Sequence, residues 1–169
     1  MSEGQKIVLS LGTNQGDKLE NILLCIQLIK EKIGMVTQIS KVYQTPSWGF
    51  ESDVFFNCAI EVESVQCPHE ILQSALSIEQ EMGRTRSGIV GYESRIIDVD
   101  LIFYGAATID TEELKIPHPL MQERKFVLMP ISDFNLKWEH PIFKQSIGEL
   151  LDNCSDESDC IVVQAVDFM

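Results

Sequence analysis

Two carboxylates, Asp98 and Asp100, stand two residues apart inside an apolar run from Ile96 to Phe103. The β-branched and aromatic residues of that run predict a strand, and in a strand residues i and i+2 point to one face. Both acids therefore look the same way. Ionised carboxylates side by side repel one another and usually draw in a cation or a proton. Mg²⁺ takes oxygen ligands and keeps positions for substrate phosphates, so such a pair suits metal-assisted phosphoryl chemistry. Upstream lie Arg84, Arg86 and Arg95, three of the chain's four arginines; the other nine cations are lysines. Arginine's planar fork matches a phosphate in a way lysine does not. The competing reading is a solvated edge strand whose Asp and Arg residues pair with one another, and the spacing alone leaves both open.

The elements that would position these groups are legible in order. Lys6 to Leu11 read as a first strand and Gly12 to Gly16 as a structural turn, with a ligand-facing backbone there as the alternative. Asp17 is an N-cap for a helix to about Ile33, with Gly34 at C′. A second strand spans about Met35 to Thr45 and a third about Val54 to Glu63. Between them, Pro46 opens a loop containing Trp48 and Phe50. Pro68 opens a second helix through about Met82, ended by Gly83. Asn57 interrupts an otherwise apolar strand, and a buried amide must be hydrogen-bonded, whether to a neighbouring strand or to a ligand. Strand, helix, strand, strand, helix, strand predicts an α+β, ferredoxin-like βαββαβ core. Its antiparallel sheet would carry both helices on one face and leave the other for ligands. A polar hairpin follows Gly105, then His118 between Pro117 and Pro119. Beyond Pro130 the chain thins into Trp138, a short helix near Ile147 to Leu151, an acidic connector and a last strand from Cys160 to Val166.

The length of 169 residues predicts one domain with a real core. No apolar run approaches the roughly 18 residues that span a bilayer, and the first residues lack a signal-peptide core. Five cysteines without a C-x-x-C pair point to a reducing, cytoplasmic setting rather than a zinc site. A formal net charge of −13 argues against nucleic acid or an anionic membrane as partner. Against that charge, an anionic nucleotide would have to be drawn in locally, by the arginines.

Several stretches together resemble 6-hydroxymethyl-7,8-dihydropterin pyrophosphokinase of folate biosynthesis. They are Gly83-Arg84-Thr85-Arg86, the run Arg95 to Gly105, and Ile116 to Pro130. Leu9 to Asp17, Val42 to Gly49 and Phe55 to Ala59 agree in order and spacing, so the likeness covers about residues 6 to 135. It implies an enzyme with ATP as co-substrate and Mg²⁺, two ions, held by Asp98 and Asp100. It further implies a pterin site of Thr45, Pro46, Phe55, Asn57 and Phe126, and an ATP site of Arg84, Arg86, Tyr92, Arg95, Leu101, His118 and Arg124. Arg84, Arg95, Asp98 and Asp100 would be the catalytic set, in a monomer acting on small molecules. The loop from Ser87 to Ser94 would close over nucleotide. Here Glu93-Ser94 stands where the family usually has Gly-Pro, and Tyr92 where it often has Trp, which bears on loop closure and rate. The rivals are a metal-dependent nucleotidyltransferase and a non-catalytic ferredoxin-like binding module. Residues 152 to 169, the acidic connector and terminal strand, lie beyond the likeness.

Overall fold

The computed structural model of the protein describes residues 4–46, 54–84 and 96–164. Strand β1 (Gln5–Thr13) leads into helix α1 (Lys18–Lys32), whose N-cap Asp17 accepts the Glu20 N–H at 3.1 Å. Strands β2 (Met35–Ile39), β3 (Val42–Thr45) and β4 (Phe55–Ser64) follow, then α2 (Pro68–Arg84) and β5 (Asp98–Tyr104). A small hairpin, β6 (Ile109–Asp110) and β7 (Lys115–Ile116), precedes a short 3₁₀ turn at Met121–Glu123. Helices α3 (Lys125–Ser132) and α4 (Ile147–Asp152) and strand β8 (Ile161–Gln164) complete the order. The main sheet runs β5-β1-β4-β3-β8, with β2 also on β4, and every pairing is antiparallel.

Alternation along the strands sorts the sheet into two faces. Ile7, Leu9, Leu11, Cys58, Ile60, Val62, Val99 and Leu101 are buried in one core with Ile22, Ile26 and Ile29 of α1 and Ile71 and Ile78 of α2. The opposite face differs from the expected open ligand surface. Val8, Ala59 and Phe103 there are buried in a second core with Val127, Leu128 and Ile131 of α3 and Ile147 and Leu150 of α4. Those sheet residues are apolar and need cover, so helices take half of this face and only its other end stays open. α3 escapes sequence reading because it is 8 residues long and contains Pro130, which reads as a stop signal.

The predicted second strand is two strands, broken at Ser40 and Lys41. The Ser40 hydroxyl accepts the Ala59 N–H at 2.8 Å and donates to the Lys41 carbonyl at 2.7 Å, so a side chain replaces part of the ladder. The first strand extends to Thr13, which takes Gly12 out of the predicted turn and into the sheet. Gly34 sits at C′ of α1 without a left-handed backbone; a Cβ there would fall 2.3 Å from the Glu63 carbonyl oxygen. Close approach of the chain to β4 is what requires glycine. α2 runs one residue past Gly83, to Arg84. β8 begins at Ile161, and the rest of the predicted last strand, beyond Gln164, lies outside the described residues. Among the described residues no helix is long and apolar enough to cross a membrane.

His140 carries a pH effect on stability. The residue is buried, and its Nδ1 accepts the N–H groups of Ile142 at 3.2 Å and Phe143 at 3.1 Å. The ring stacks on Phe143 and meets Phe103 edge-on. Burial pushes its pKa below the ordinary histidine value. The folded state therefore stays neutral at a pH where the unfolded chain already binds a proton. Stability is complete above the unfolded value of about 6.5 and falls as pH drops below it, by at most about 1.4 kcal/mol per pH unit. His140→Asn keeps an acceptor without a titrating group, so its urea-unfolding free energy should fall less than wild type between pH 7 and 5.5. Equal losses in the two proteins would show that His140 is not responsible.

Candidate active site

The open end of the second face is a pocket of about 320 Å³ lined by residues of four sheet strands (β1, β3, β4 and β5), the residue after β3, the 3₁₀ turn and the start of α3. Register explains its floor. Asn57 on β4 pairs with Gly12 on β1, and Gly12 pairs with Asp98 on β5. Two residues along each strand, on the same face, Ser10 lies opposite Asp100. Adjacent strands are about 4.8 Å apart, so Asn57 and Asp98 face the pocket across roughly 10 Å of sheet. Between them Gly12 has no side chain, and a Cβ there would stand 3.2 Å from Asn57 Oδ1. Small residues on β1 thus make the floor on which a flat ligand could lie.

Asp98 and Asp100 are both half-buried and both line this pocket, with Val99 between them turned into the opposite core. The backbone between the acids is held from behind: Glu79 of α2 accepts the Val99 N–H at 2.9 Å. The Thr13 hydroxyl donates to the Ile96 carbonyl at 2.6 Å, tying the end of β1 to the entry of β5. Across the pocket, buried Asn57 donates from Nδ2 to Thr45 Oγ1 at 2.7 Å. Thr45, Pro46, Phe55 and Phe126 also line the cavity. The Arg124 guanidinium lies 5.7 Å from the centre of the Phe126 ring, which joins a cation to an aromatic wall.

His118 is not among the lining residues, yet it feels two of them. Burial lowers its pKa, with Asp100 opposing that shift and Arg124 adding to it. Its Nδ1 accepts the Leu120 N–H at 3.3 Å. Leu101 stands apart, its side chain buried in the core toward α1 and α2 rather than in the pocket. Arg84 is the last residue of α2. Arg86, Tyr92 and Arg95, with the predicted closing loop, lie outside the described residues, as does Trp48.

Ser10, Leu120 and Glu123 line the pocket and were not singled out by sequence reasoning, and Gly12, read chiefly as part of a structural turn, lines it from within β1. The i, i+2 spacing of the two small residues Ser10 and Gly12 in a strand was the available signal for the floor. Leu120 and Glu123 reach the pocket through the 3₁₀ turn, which has no comparable signature.

The donor set suits a hard cation. Two carboxylates on one face supply oxygen ligands and leave the remaining positions to water or a substrate phosphate. No group of three or more His, Cys, Asp or Glu residues able to hold a metal occurs among the described residues.

One pocket of an antiparallel α+β sheet thus holds paired strand carboxylates, a buried amide and an aromatic ring faced by a guanidinium. Residues 8–136 match the model of the 7,8-dihydro-6-hydroxymethylpterin-pyrophosphokinase (HPPK) family, and the chain belongs to that family. It is 36% identical over 138 residues to the 2-amino-4-hydroxy-6-hydroxymethyldihydropteridine pyrophosphokinase of Porphyromonas gingivalis, covering 80% of this chain and 93% of that protein. It is 41% identical over 140 residues to the folic acid synthesis protein FOL1 of Dictyostelium discoideum, 82% of this chain but 21% of that one. A crystal structure of Plasmodium falciparum HPPK-DHPS shares the fold with a TM-score of 0.72 at 17% identity, over 89% of this chain and 45% of the other.

Proposed function

We propose that the protein transfers pyrophosphate from ATP to the 6-hydroxymethyl group of 6-hydroxymethyl-7,8-dihydropterin. The products are AMP and the dihydropterin diphosphate, a step of folate biosynthesis. The observation that carries this reading is the row Asn57, Gly12, Asp98 across three strands, with Asp100 beside it in the same pocket. Asn57 and Thr45 offer polar contacts for the pterin edge, and Phe55 and Phe126 offer flat apolar walls for its faces. Asp98 and Asp100 would hold two Mg²⁺ ions. Bound there, Mg²⁺ would neutralise phosphate charge and lower the pKa of the attacking hydroxyl. Arg124 and His118 would meet phosphate oxygens at the far side of the acids, with Arg84, Arg86, Arg95 and Tyr92 completing the nucleotide side.

The strand order β5-β1-β4, with β2 and β3 together taking the next position beside β4 and β8 added outside β3, supports a ferredoxin-like βαββαβ core. We also read residues 1–169 as one domain acting as a cytoplasmic monomer on small molecules. Incubating the protein with ATP, Mg²⁺ and hydroxymethyldihydropterin and separating the nucleotides tests the reaction. AMP formed one-for-one with the dihydropterin diphosphate is the expected result. Release of inorganic pyrophosphate would assign nucleotidyl transfer instead, and no pterin-dependent conversion would overturn the proposal.

A further inference from the structure

The family match ends at residue 136, and the chain beyond it returns to the strand and helix that wall the pocket, β3 and α3. From Cys154 to Cys160 the segment alternates, even-numbered residues half-buried and odd-numbered ones exposed, so it lies on the protein as an extended strip. In the acidic run this turns Asp156 inward while Asp152, Glu157 and Asp159 stay exposed. Asp156 Oδ2 accepts the Lys125 N–H at 3.2 Å, and Oδ1 accepts the Ser158 N–H at 2.9 Å. Lys125 is the first residue of α3, and Arg124, the residue in the cap position, makes no side-chain cap bond. The acidic run, read from the sequence as a connector, thus supplies a carboxylate to a helix N-terminus.

Lys125 sits between two pocket residues, Arg124 and Phe126. The same C-terminal segment goes on to pair β8 with β3, matching Tyr43 with Val162 and Gln44 with Ile161. β3 delivers Thr45 to the pocket, and Pro46 follows it. At the other end of α3, Asp133 accepts from Tyr43 Oη at 2.7 Å and the Lys41 N–H at 3.0 Å. The helix and strand that form this wall are therefore joined at one end by Asp133 and clasped at the other by residues 153–164.

We infer that Asp156 is a positioning residue for substrate binding: by holding the Lys125 N–H it fixes the first turn of α3, and with it Arg124 and Phe126, against the pocket. The inference rests on the pterin pyrophosphokinase reading for its kinetic consequence but not for its geometry. Partial burial raises the Asp156 pKa; the Ser158 hydrogen bonds, the Lys125 N–H and the Lys125 charge outweigh it and hold the group below the usual carboxylate range.

The test compares full-length wild type, Asp156→Ala and Asp156→Asn. In Asp156→Ala, KM for hydroxymethyldihydropterin and for ATP should rise about three- to tenfold, the range a lost helix cap is worth, with kcat within about twofold. Asp156→Asn, whose one carbonyl oxygen can still accept from Lys125, should fall between. A role in folding alone would lower the active fraction, hence kcat, and leave both KM values unchanged; that result overturns the inference. Amide exchange at Lys125, read by NMR, should speed at least about tenfold in Asp156→Ala, and unchanged exchange also overturns it. If wild type shows no pterin turnover, the functional reading fails, and the exchange measurement still decides whether Asp156 orders α3. Should the alanine variant not fold, the asparagine variant carries both measurements.

Discussion

Asp100→Ala is expected to lower kcat at saturating ATP and Mg²⁺ by at least about a thousandfold, with Tm changed by only a few degrees. Asp100 is half-buried on the pocket face of β5 and packs in neither core. Its backbone pairing with Ser10 needs no particular side chain, so the sheet survives the change. What disappears is one of two carboxylates facing the same space. Rate and stability should therefore separate, unlike in a core substitution, where both would fall. Asp100→Asn keeps the shape and removes the charge, so it should resemble the alanine variant in rate. Raising Mg²⁺ should recover little activity in either. Near-wild-type turnover in Asp100→Ala would remove the metal role from this residue and with it the main support for the proposed chemistry.

The second large effect is expected at Asn57. Asn57→Leu is close in volume but cannot hydrogen-bond. It should raise KM for hydroxymethyldihydropterin about a hundredfold or more, because a site built for a polar edge discriminates strongly when its partner is lost. The change also leaves Thr45 Oγ1 without the Asn57 donor it has at 2.7 Å, in a pair that is buried on both sides. That adds a stability cost of about 1–3 kcal/mol. The two consequences are separable. Calorimetry with a non-hydrolysable ATP analogue should give nearly wild-type affinity, since Asn57 lies at the opposite end of its row from Asp98. An equal loss for nucleotide and pterin would mean that the pocket had collapsed, and that Asn57 is structural rather than a reader of the ring.

Much of this architecture follows from periodicity. The alternation through Asp98, Val99 and Asp100 required one face for the acids and the other for the valine, and the pocket and core divide them that way. The Asp17 cap and the apolar stripe of α1 were equally plain. Other features depend on partners far away in the chain. Ser40 looks like any polar strand residue until Ala59 lies opposite and takes its hydroxyl. Gly12 reads as a turn residue until β4 and β5 flank it, whereupon its missing side chain becomes the floor between Asn57 and Asp98. α3 is short, apolar and interrupted by proline, so it is defined by what it covers, Val8, Ala59 and Phe103, rather than by its own pattern.

By itself, the sequence determined the two long helices and most of the core strands, the shared direction of the two carboxylates and the family, because each is written in spacing along one stretch of chain. Only the tertiary structure decided which strands stand side by side, that half of the ligand face is roofed by helices, and that an acidic tail caps α3. Those outcomes arise from register and burial between residues distant in sequence, where local preferences are silent and the packing of apolar faces selects the arrangement.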